Sequence, residues 1–277
     1  MLYLEKTFKN NLISDDVKNN NSNYAFDNIL SYKGQVVRNV ANRTTVKIKI
    51  GNSEYFIKQH NAQTYKATLK EVLKNFLAFK KPVLSALNEV QAIWQLEKLG
   101  IDTLTVSGYG FQKINLLKNK SFIITESLEP AMDLNDLNKI VKGLNSKQSY
   151  ILKRNLIKKI SKVTKSMHEN YLVHQDFYLC HFLYKNDKLF LIDLHRMQKV
   201  NKLFFNYRKI KELADLFFST KCVKEISKTD VFYFIKCYFD NNCLKDIFAK
   251  KTNKSNFHKI ELRANRLYKK AVRKNII

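Results

Sequence analysis

Two kinds of apolar periodicity divide the chain. Alternating apolar and polar positions predict strands at 35–40, 44–50 and 54–58, and two further strands are predicted at 105–111 and 121–126. Apolar positions three or four residues apart predict helices at 69–77, 87–99, 152–167, 209–218, 229–239 and 257–274. This order predicts an α+β protein with a β-rich first lobe and a mainly helical second lobe, joined near residues 126–130.

The two predicted lobes are preceded by a segment of different composition. Residues 1–30 are polar and rich in Asn, which predicts a flexible or loosely docked N-terminal segment. The β-rich N-lobe is predicted at 31–127 and the helical C-lobe at 128–277. The C-lobe ends in a basic helix, whose apolar face either docks on the core or contacts a membrane surface.

A short hairpin in the predicted C-lobe carries the most informative polar residues. Its two apolar strands flank an Asn-Asp turn, and pairing Tyr184 with Leu189 sets their register. In that register His181 and Asp193 are diagonal neighbours, with backbones about 7–8 Å apart. Asp176 lies in the loop that enters the first strand. The sequence therefore predicts that a carboxylate and an imidazole meet where a divalent cation would fit.

The charge balance narrows the classes of partner. The chain has 50 Lys and Arg residues against 24 Asp and Glu, which gives a net charge of +26. Only eight of the basic residues are Arg, so a solvated Lys-rich surface stays open beside an anionic lipid surface or a phosphorylated glycan. No nucleic acid partner is expected, because no helix-turn-helix, zinc-finger or RNA-binding pattern accompanies the charge. Neither a transmembrane segment of about 18 apolar residues nor a secretory signal is predicted.

Two segments around the hairpin resemble a known family. His174–Leu183 and Ile192–Gln198 are similar to the signature of the lipopolysaccharide kinase (Kdo/WaaP) family, most of all to that of the lipopolysaccharide core heptose(I) kinases. Further blocks that look like the family follow in family order at 55–60, 73–77, 81–89, 99–105 and 121–128. The resemblance covers about residues 35–240 and implies a protein-kinase-like fold of two lobes.

The resemblance implies roles for the residues of the hairpin region. Asp176 matches the catalytic base, beside the sugar hydroxyl that attacks the γ-phosphate of ATP. Asp193 matches the aspartate that binds Mg²⁺ between the β- and γ-phosphates. His181 takes the position of the catalytic-loop Asn of kinases, where it either binds the metal or orients Asp193 and the phosphates, since imidazole is a poor ligand for Mg²⁺.

The resemblance also implies an ATP site in the N-lobe. Lys58 would contact the α- and β-phosphates and would be held by Glu89. Glu126 and Leu128 match the hinge of kinases, where backbone groups meet the adenine. A Gly-rich loop is missing between the first strands, so cover for the phosphates is expected from Arg43 or from other backbone amides.

The implied activity is ATP- and Mg²⁺-dependent transfer of phosphate to a heptose of the lipopolysaccharide inner core. Such an acceptor implies a cytoplasmic protein that is peripheral on the inner face of the bacterial inner membrane. Two alternatives stay open: the same fold phosphorylating Kdo or a protein hydroxyl, and a kinase-like binding protein without turnover. Gln175, which replaces the usual Arg before the catalytic aspartate, favours the binding protein; the joint presence of Lys58, Glu89, Asp176 and Asp193 argues against it.

Overall fold

A computed structural model of the protein describes residues 1–5, 22–40, 42–62, 68–70, 72–73, 85–115 and 118–275. Contacts along the chain divide it into two compact units. The first unit comprises Met1–Gln95, Thr103–Leu128 and Leu194–Arg196, and the second comprises Leu96–Asp102, Glu129–Asp193 and Met197–Ile277. Antiparallel strands dominate the first unit and helices the second, which confirms the α+β prediction.

The described part of the first unit is built on one six-stranded sheet. Its strands are β1 (Leu2–Leu4), β2 (Gln35–Val40), β3 (Arg43–Ile50), β4 (Ser53–His60), β5 (Val106–Lys113) and β6 (Asn119–Glu126). They lie in the order β1-β5-β6-β4-β3-β2, and every neighbouring pair is antiparallel. Gly51 supplies the left-handed residue of the β3–β4 turn at φ +60°, so the meander predicted from alternation is present.

The N-terminal segment differs from the flexible or loosely docked segment expected for residues 1–30. Leu2–Leu4 forms β1 at the sheet edge, with Leu4 buried. The helix α1 (Ser22–Leu30) buries Phe26 and Ile29, and the rings of Phe26 and Phe122 lie 5.4 Å apart. These few apolar residues suffice for docking, although the surrounding Asn-rich composition hides them. The intervening residues of the segment lie outside the described part of the chain.

A buried amide fastens the C-terminal end of α1 to the sheet. The side chain Nε2 of Gln59, on β4, donates hydrogen bonds of 3.0 Å to the carbonyl oxygens of both Ile29 and Tyr32. The last carbonyls of a helix lack partners within the helix. Gln59 therefore supplies a donor to the carbonyl of Tyr32 and a second donor to that of Ile29, which also accepts from the N–H of Tyr32 at 3.3 Å.

A helix follows the meander, as the periodicity predicts. The helix α2 (Leu87–Lys98) buries Val90, Ile93 and Leu96 on one face. Residues 68–70 and 72–73 are also helical. The rest of the helix predicted at 69–77 lies outside the described residues.

The second unit consists mainly of helices, with short strands between them. The helices are α3 (Leu137–Ile140), α4 (Ser146–Glu169), α5 (Lys202–Thr220), α6 (Lys228–Phe239), α7 (Leu244–Ala249) and α8 (Lys251–Arg273). The strands are β7 (Met132–Asp133), β8 (Leu172–Val173), β9 (Phe182–Lys185), β10 (Lys188–Leu191) and β11 (Gln198–Lys199). Among the helices described in either unit, none combines the length and apolar content needed to cross a membrane.

The long helices confirm the predicted apolar stripes. A reciprocal capping box between Asn145 and Gln148 starts α4, which buries Leu156, Ile160 and Met167. The basic C-terminal helix α8 packs on α5 and buries Ile260, Ala264 and Ala271. The apolar face of α8 is therefore docked on the second unit, and its basic residues lie on the other faces.

A buried carboxyl group lies between α5 and α8. Asp215 of α5 is almost fully buried, and its Oδ1 lies 3.8 Å from Nε of Arg263 on α8. Burial raises the pKa of Asp215 to about 6, although Arg263 and Lys211 act in the opposite direction. Desolvation therefore outweighs the nearby positive charges at this position.

The first prediction concerns Gln59. Replacement by Leu puts an apolar side chain in place of the amide and removes two buried hydrogen bonds, so Gln59→Leu should lower the free energy of unfolding by about 2 kcal/mol. Chemical denaturation measures this difference. Gln35→Leu, on the exposed edge strand β2, is the matched control and should change stability little; equal effects of the two substitutions would contradict the role given to Gln59.

The second prediction concerns Asp215 and pH. The folded-state pKa of about 6 exceeds the ordinary value of 3.8, so the folded protein holds this proton more tightly than the unfolded chain does. The contribution of Asp215 to stability is fully present below about pH 4 and is lost as the pH rises through about 6. Asp215→Asn should therefore gain up to about 3 kcal/mol relative to wild type between pH 4 and pH 8.

Denaturation at the two pH values measures this gain. The control is Asp187→Asn: a hydrogen bond from Lys159 lowers the pKa of the exposed Asp187 carboxyl, so the contribution of this residue is present above about pH 4 and is lost only at lower pH. Its difference from wild type should therefore stay nearly constant between pH 4 and pH 8. A constant difference between Asp215→Asn and wild type at both pH values would refute the assignment.

Candidate active site

The loop that carries Asp176 is fixed at its start by secondary structure. Helix α4 ends at Glu169, and Tyr171 turns the chain in a left-handed conformation at φ +58°. Strand β8 then pairs with β11, placing Val173 opposite Gln198. The loop therefore starts from a defined position inside the second unit.

A buried carboxylate holds the first residues of this loop. Oε2 of Glu212, on α5, accepts hydrogen bonds from the backbone N–H groups of His174 at 2.7 Å and Gln175 at 3.1 Å. Gln175 has φ +73°, a left-handed conformation that is unfavourable for a residue with a side chain. Two charge-assisted hydrogen bonds on adjacent amides stabilise that conformation. Glu212 thus sets the geometry of the residue that directly precedes Asp176.

The carboxylate of Glu212 also extends the network towards α6. Its Oε1 lies 3.4 Å from Nε2 of His168, and Nδ1 of His168 lies 2.8 Å from the hydroxyl of Tyr238. Glu212 and His168 are buried and Tyr238 is partly buried, and burial is the main cause that raises the pKa of the Tyr238 phenol. Sequence reasoning missed Glu212. The sequence feature that could have indicated it is an acidic residue next to the apolar residues Leu213, Ala214 and Leu216 of a core helix.

The structure confirms the hairpin register predicted from the sequence. Tyr184 pairs with Leu189, and the pairing continues through Leu191 and Phe182. Beyond the strands, the N–H of Ile192 donates to the carbonyl of His181 at 2.9 Å. The predicted diagonal neighbours therefore lie close together.

His181 connects the two acidic residues of this region. Its Nδ1 donates to the backbone carbonyl of Asp176 at 2.6 Å, and its Nε2 lies 3.5 Å from Oδ2 of Asp193. A carbonyl oxygen only accepts hydrogen bonds, so Nδ1 carries the proton in this bond. The Nε2 edge of the ring faces the Asp193 carboxylate. Asp193, like Gln175, is left-handed, with φ +59°. The hairpin therefore brings the half-buried carboxylate of Asp193 and the imidazole of His181 close together.

A second histidine supports the same end of the hairpin. Nε2 of His174 donates to the carbonyl of Ile192 at 2.8 Å, and the rings of His174 and His181 stack with centroids 5.5 Å apart. Complete burial lowers the pKa of His174, so its ring is neutral. His174 ties the start of the Asp176 loop to the residue before Asp193.

The donor set around Asp193 suits Mg²⁺ in part. Mg²⁺ prefers oxygen ligands and keeps several water molecules, so one carboxylate together with phosphate oxygens is a common protein contribution. Among the residues that the structure describes, no group of three or more His, Cys, Asp or Glu side chains could hold a metal. Asp193 fits such a site, and the nitrogen of His181 suits an orienting role better than direct coordination.

The first unit contains the predicted Lys–Glu pair. Nζ of Lys58, on β4, lies 2.5 Å from Oε1 of Glu89 at the start of α2. Glu89 is 1% exposed and the Lys58 side chain is 24% exposed, so the carboxylate is buried while the lysine is partly exposed. The pair therefore holds the lysine in place.

Basic side chains surround His60 at the C-terminal end of β4. Arg43, at the start of β3, is opposite His60 in the register of β3 and β4. Burial lowers the pKa of His60 to about 3, and Arg43, Lys58 and His195 lower it further. The neutral imidazole thus lies among cationic or basic side chains, an environment that favours an anion.

The residues predicted as a hinge lie at the end of β6. The N–H of Glu126 donates to the carbonyl of Thr105 at 3.1 Å, and the N–H of Ser127 donates to the carbonyl of Glu54 at 2.8 Å. A nucleotide at this position would therefore meet the carbonyl of Glu126 rather than its N–H. Leu128 is half-buried and is the last residue of Thr103–Leu128, one of the segments that form the first unit.

Curated proteins of known name match the chain over most of its length. The lipopolysaccharide core heptose(I) kinase WaaP of Escherichia coli is 32% identical over 259 residues, which cover 91% of this chain and 94% of that protein. The protein of the same name from Pseudomonas aeruginosa is 32% identical over 222 residues, covering 77% of this chain and 80% of that protein.

A solved structure, described as "WaaP in complex with acyl carrier protein", has a similar fold. It matches with a TM-score of 0.71 and 27% sequence identity, covering 97% of this chain and 99% of that one. The likeness confirms the kinase-like fold predicted from the sequence. The family described as "Lipopolysaccharide kinase (Kdo/WaaP) family" matches residues 27–238. This chain therefore belongs to the lipopolysaccharide kinase (Kdo/WaaP) family.

Proposed function

We propose that the protein is an ATP-dependent kinase that phosphorylates a heptose of the lipopolysaccharide inner core. The observation that carries the proposal is the hydrogen-bonded hairpin, in which His181 links the Asp176 loop to Asp193. Family membership and the two heptose kinases at 32% identity support the same reaction. Phosphoryl transfer needs mainly positioning and charge stabilisation, which is what this rigid arrangement can supply.

Asp176 acts as the base in this proposal. Its backbone carbonyl is bound by His181 and by the N–H of Tyr178 at 3.1 Å, so the direction of its side chain is set by the loop. The carboxylate accepts the proton of the sugar hydroxyl as that oxygen attacks the γ-phosphorus of ATP, and ADP leaves as the bond from the γ-phosphorus to the β,γ-bridging oxygen breaks. A base held within hydrogen-bond reach of the hydroxyl typically contributes about 10²–10⁴-fold to the rate.

Asp193 would hold Mg²⁺, with His181 orienting the carboxylate. When bound, the metal would supply positive charge that offsets the charge of the nucleotide phosphates. A metal contact from His181 itself is the less favourable assignment, because Mg²⁺ prefers oxygen ligands to imidazole nitrogen.

Lys58 binds the α- and β-phosphates, and Glu89 keeps its ammonium group in place. Arg43 contributes positive charge where other kinases have a Gly-rich loop. The adenine meets the backbone of Glu126 and Leu128. In each case the supporting evidence is the geometry of the residue within its own unit and the resemblance to the family.

The proposed glycolipid acceptor is consistent with the positive charge of the protein. A glycolipid of the inner core is anionic and lies at a membrane surface, so a charge of +26 favours its capture. We place the protein in the cytoplasm, peripheral on the inner face of the inner membrane. The related structure contains acyl carrier protein, and we propose the same kind of partner for this chain.

The third prediction tests the reaction. Purified protein given ATP, Mg²⁺ and dephosphorylated core glycolipid should transfer phosphate, and Asp176→Asn should reduce kcat at least about 10²-fold, because the base is lost. Asp187→Asn, in the exposed turn of the same hairpin, is the matched control and should keep full activity. Transfer by Asp176→Asn at the wild-type rate would refute the mechanism, and ATP binding without transfer by wild type would favour a kinase-like binding protein.

The fourth prediction separates nucleotide binding from folding. Lys58→Met should weaken ATP binding at least about tenfold and destabilise the protein by about 3–5 kcal/mol, because it leaves the Glu89 carboxylate buried without its cation. The double variant Lys58→Met/Glu89→Leu should regain most of the stability and none of the ATP affinity. Calorimetry of ATP binding and denaturation provide the two measurements.

The matched control breaks a more exposed ion pair on the same sheet. Lys47 and Glu54 lie 2.9 Å apart on β3 and β4, and Lys47→Met should change stability by no more than about 1 kcal/mol and leave ATP binding intact. Full ATP affinity in the double variant would show that Lys58 serves the fold alone.

A further inference from the structure

The first turn of α5 exposes large apolar side chains. Leu203, Phe204 and Tyr207 are 86%, 40% and 65% exposed, and their spacing places them on one side of the helix. We name these three residues the apolar turn. Large apolar residues clustered on a surface mark interaction sites more often than isolated ones do.

The surroundings of the apolar turn are strongly basic. Residues 194–211 contain six Lys and Arg residues and no Asp or Glu. Lys199 and Lys202 are exposed, and Nζ of Lys202 lies 5.6 Å from the ring of Tyr171. This stretch of chain therefore combines exposed apolar groups with positive charge.

The basic helix α8 reaches the same surface. Nδ2 of Asn256, near the start of α8, donates to Oδ1 of Asn206 on α5 at 3.2 Å. Lys259, one turn further along α8, is exposed. Because the apolar face of α8 is buried against the core, this helix adds charge to the surface, while the apolar turn supplies the groups that can enter an apolar medium.

We propose that the apolar turn and its flanking lysines seat the protein on an anionic lipid bilayer. Aromatic and Leu side chains bordered by Lys are the combination that binds bilayer interfaces, where apolar burial and attraction to anionic headgroups act together. A second copy of this chain carries the same charge of +26, so repulsion opposes pairing through this surface. The inference deepens the proposed function, and rests on its lipid-linked acceptor.

The position of the apolar turn suits a lipid-linked sugar. Phe204 lies eight residues before Glu212 on the same helix, a distance of about 12 Å along the axis. Glu212 in turn binds the loop that carries Asp176. A protein anchored through the first turn of α5 would keep its catalytic loop near the bilayer surface, where the sugars of a glycolipid begin.

Vesicle co-sedimentation tests this inference directly. The full-length protein should bind vesicles of phosphatidylcholine and phosphatidylglycerol in equal parts, and bind pure phosphatidylcholine vesicles more weakly. The triple variant Leu203→Ser/Phe204→Ser/Tyr207→Ser should bind the anionic vesicles about tenfold more weakly, since the apolar contribution is lost. The matched control is Leu144→Ser/Tyr150→Ser/Ile151→Ser, which removes three exposed apolar residues elsewhere in the same unit and should bind as wild type does.

Activity separates this inference from the proposed function. On water-soluble, delipidated core oligosaccharide the apolar-turn variant should transfer phosphate as fast as wild type, whereas on vesicle-embedded glycolipid it should be slower. Absence of transfer by wild type on both acceptors would overturn the proposed function and leave vesicle binding as a separate result. Wild-type vesicle binding by the apolar-turn variant, equal loss in the control variant, or loss only of binding to an acidic protein partner would each overturn the bilayer assignment.

Discussion

The geometry of the candidate active site depends on one buried carboxylate. Glu212 accepts hydrogen bonds from the N–H groups of His174 and Gln175, and a charge at this depth is tolerable only with such partners. The dependence is mutual, because the two amides satisfy the carboxylate and the carboxylate stabilises the left-handed Gln175. Asp176 follows directly, so a helix that never touches the reaction fixes where the proposed base lies.

A continuous set of hydrogen bonds extends this constraint to the proposed metal ligand. His174 binds the carbonyl of Ile192, and His181 binds the carbonyl of Asp176 and faces Asp193. Two histidines therefore link the Asp176 loop to the end of the hairpin that carries Asp193. His181 suits orientation better than coordination because Mg²⁺ prefers oxygen ligands to imidazole nitrogen.

The sequence predicts those parts of the site that depend on local rules. The hairpin register follows from the two-residue period of a strand and a short turn, so the approach of His181 to Asp193 could be deduced and is confirmed. The bonds of Glu212 join residues 37 and 38 positions apart, and no local pattern encodes them. The docking of β1 and α1 was missed for a related reason, since a few apolar residues such as Phe26 are enough to bind a sheet even in a polar, Asn-rich segment.

The rate of phosphate transfer by variants of Glu212 tests the central claim most directly. Glu212→Gln keeps an oxygen that can accept from both amides, whereas Glu212→Ala removes it. In single-turnover assays with ATP, Mg²⁺ and dephosphorylated core glycolipid, Ala should slow transfer at least about tenfold with ATP affinity unchanged, and Gln should restore much of the rate. Wild-type transfer by Glu212→Ala, or equal loss in the two variants, would contradict the account.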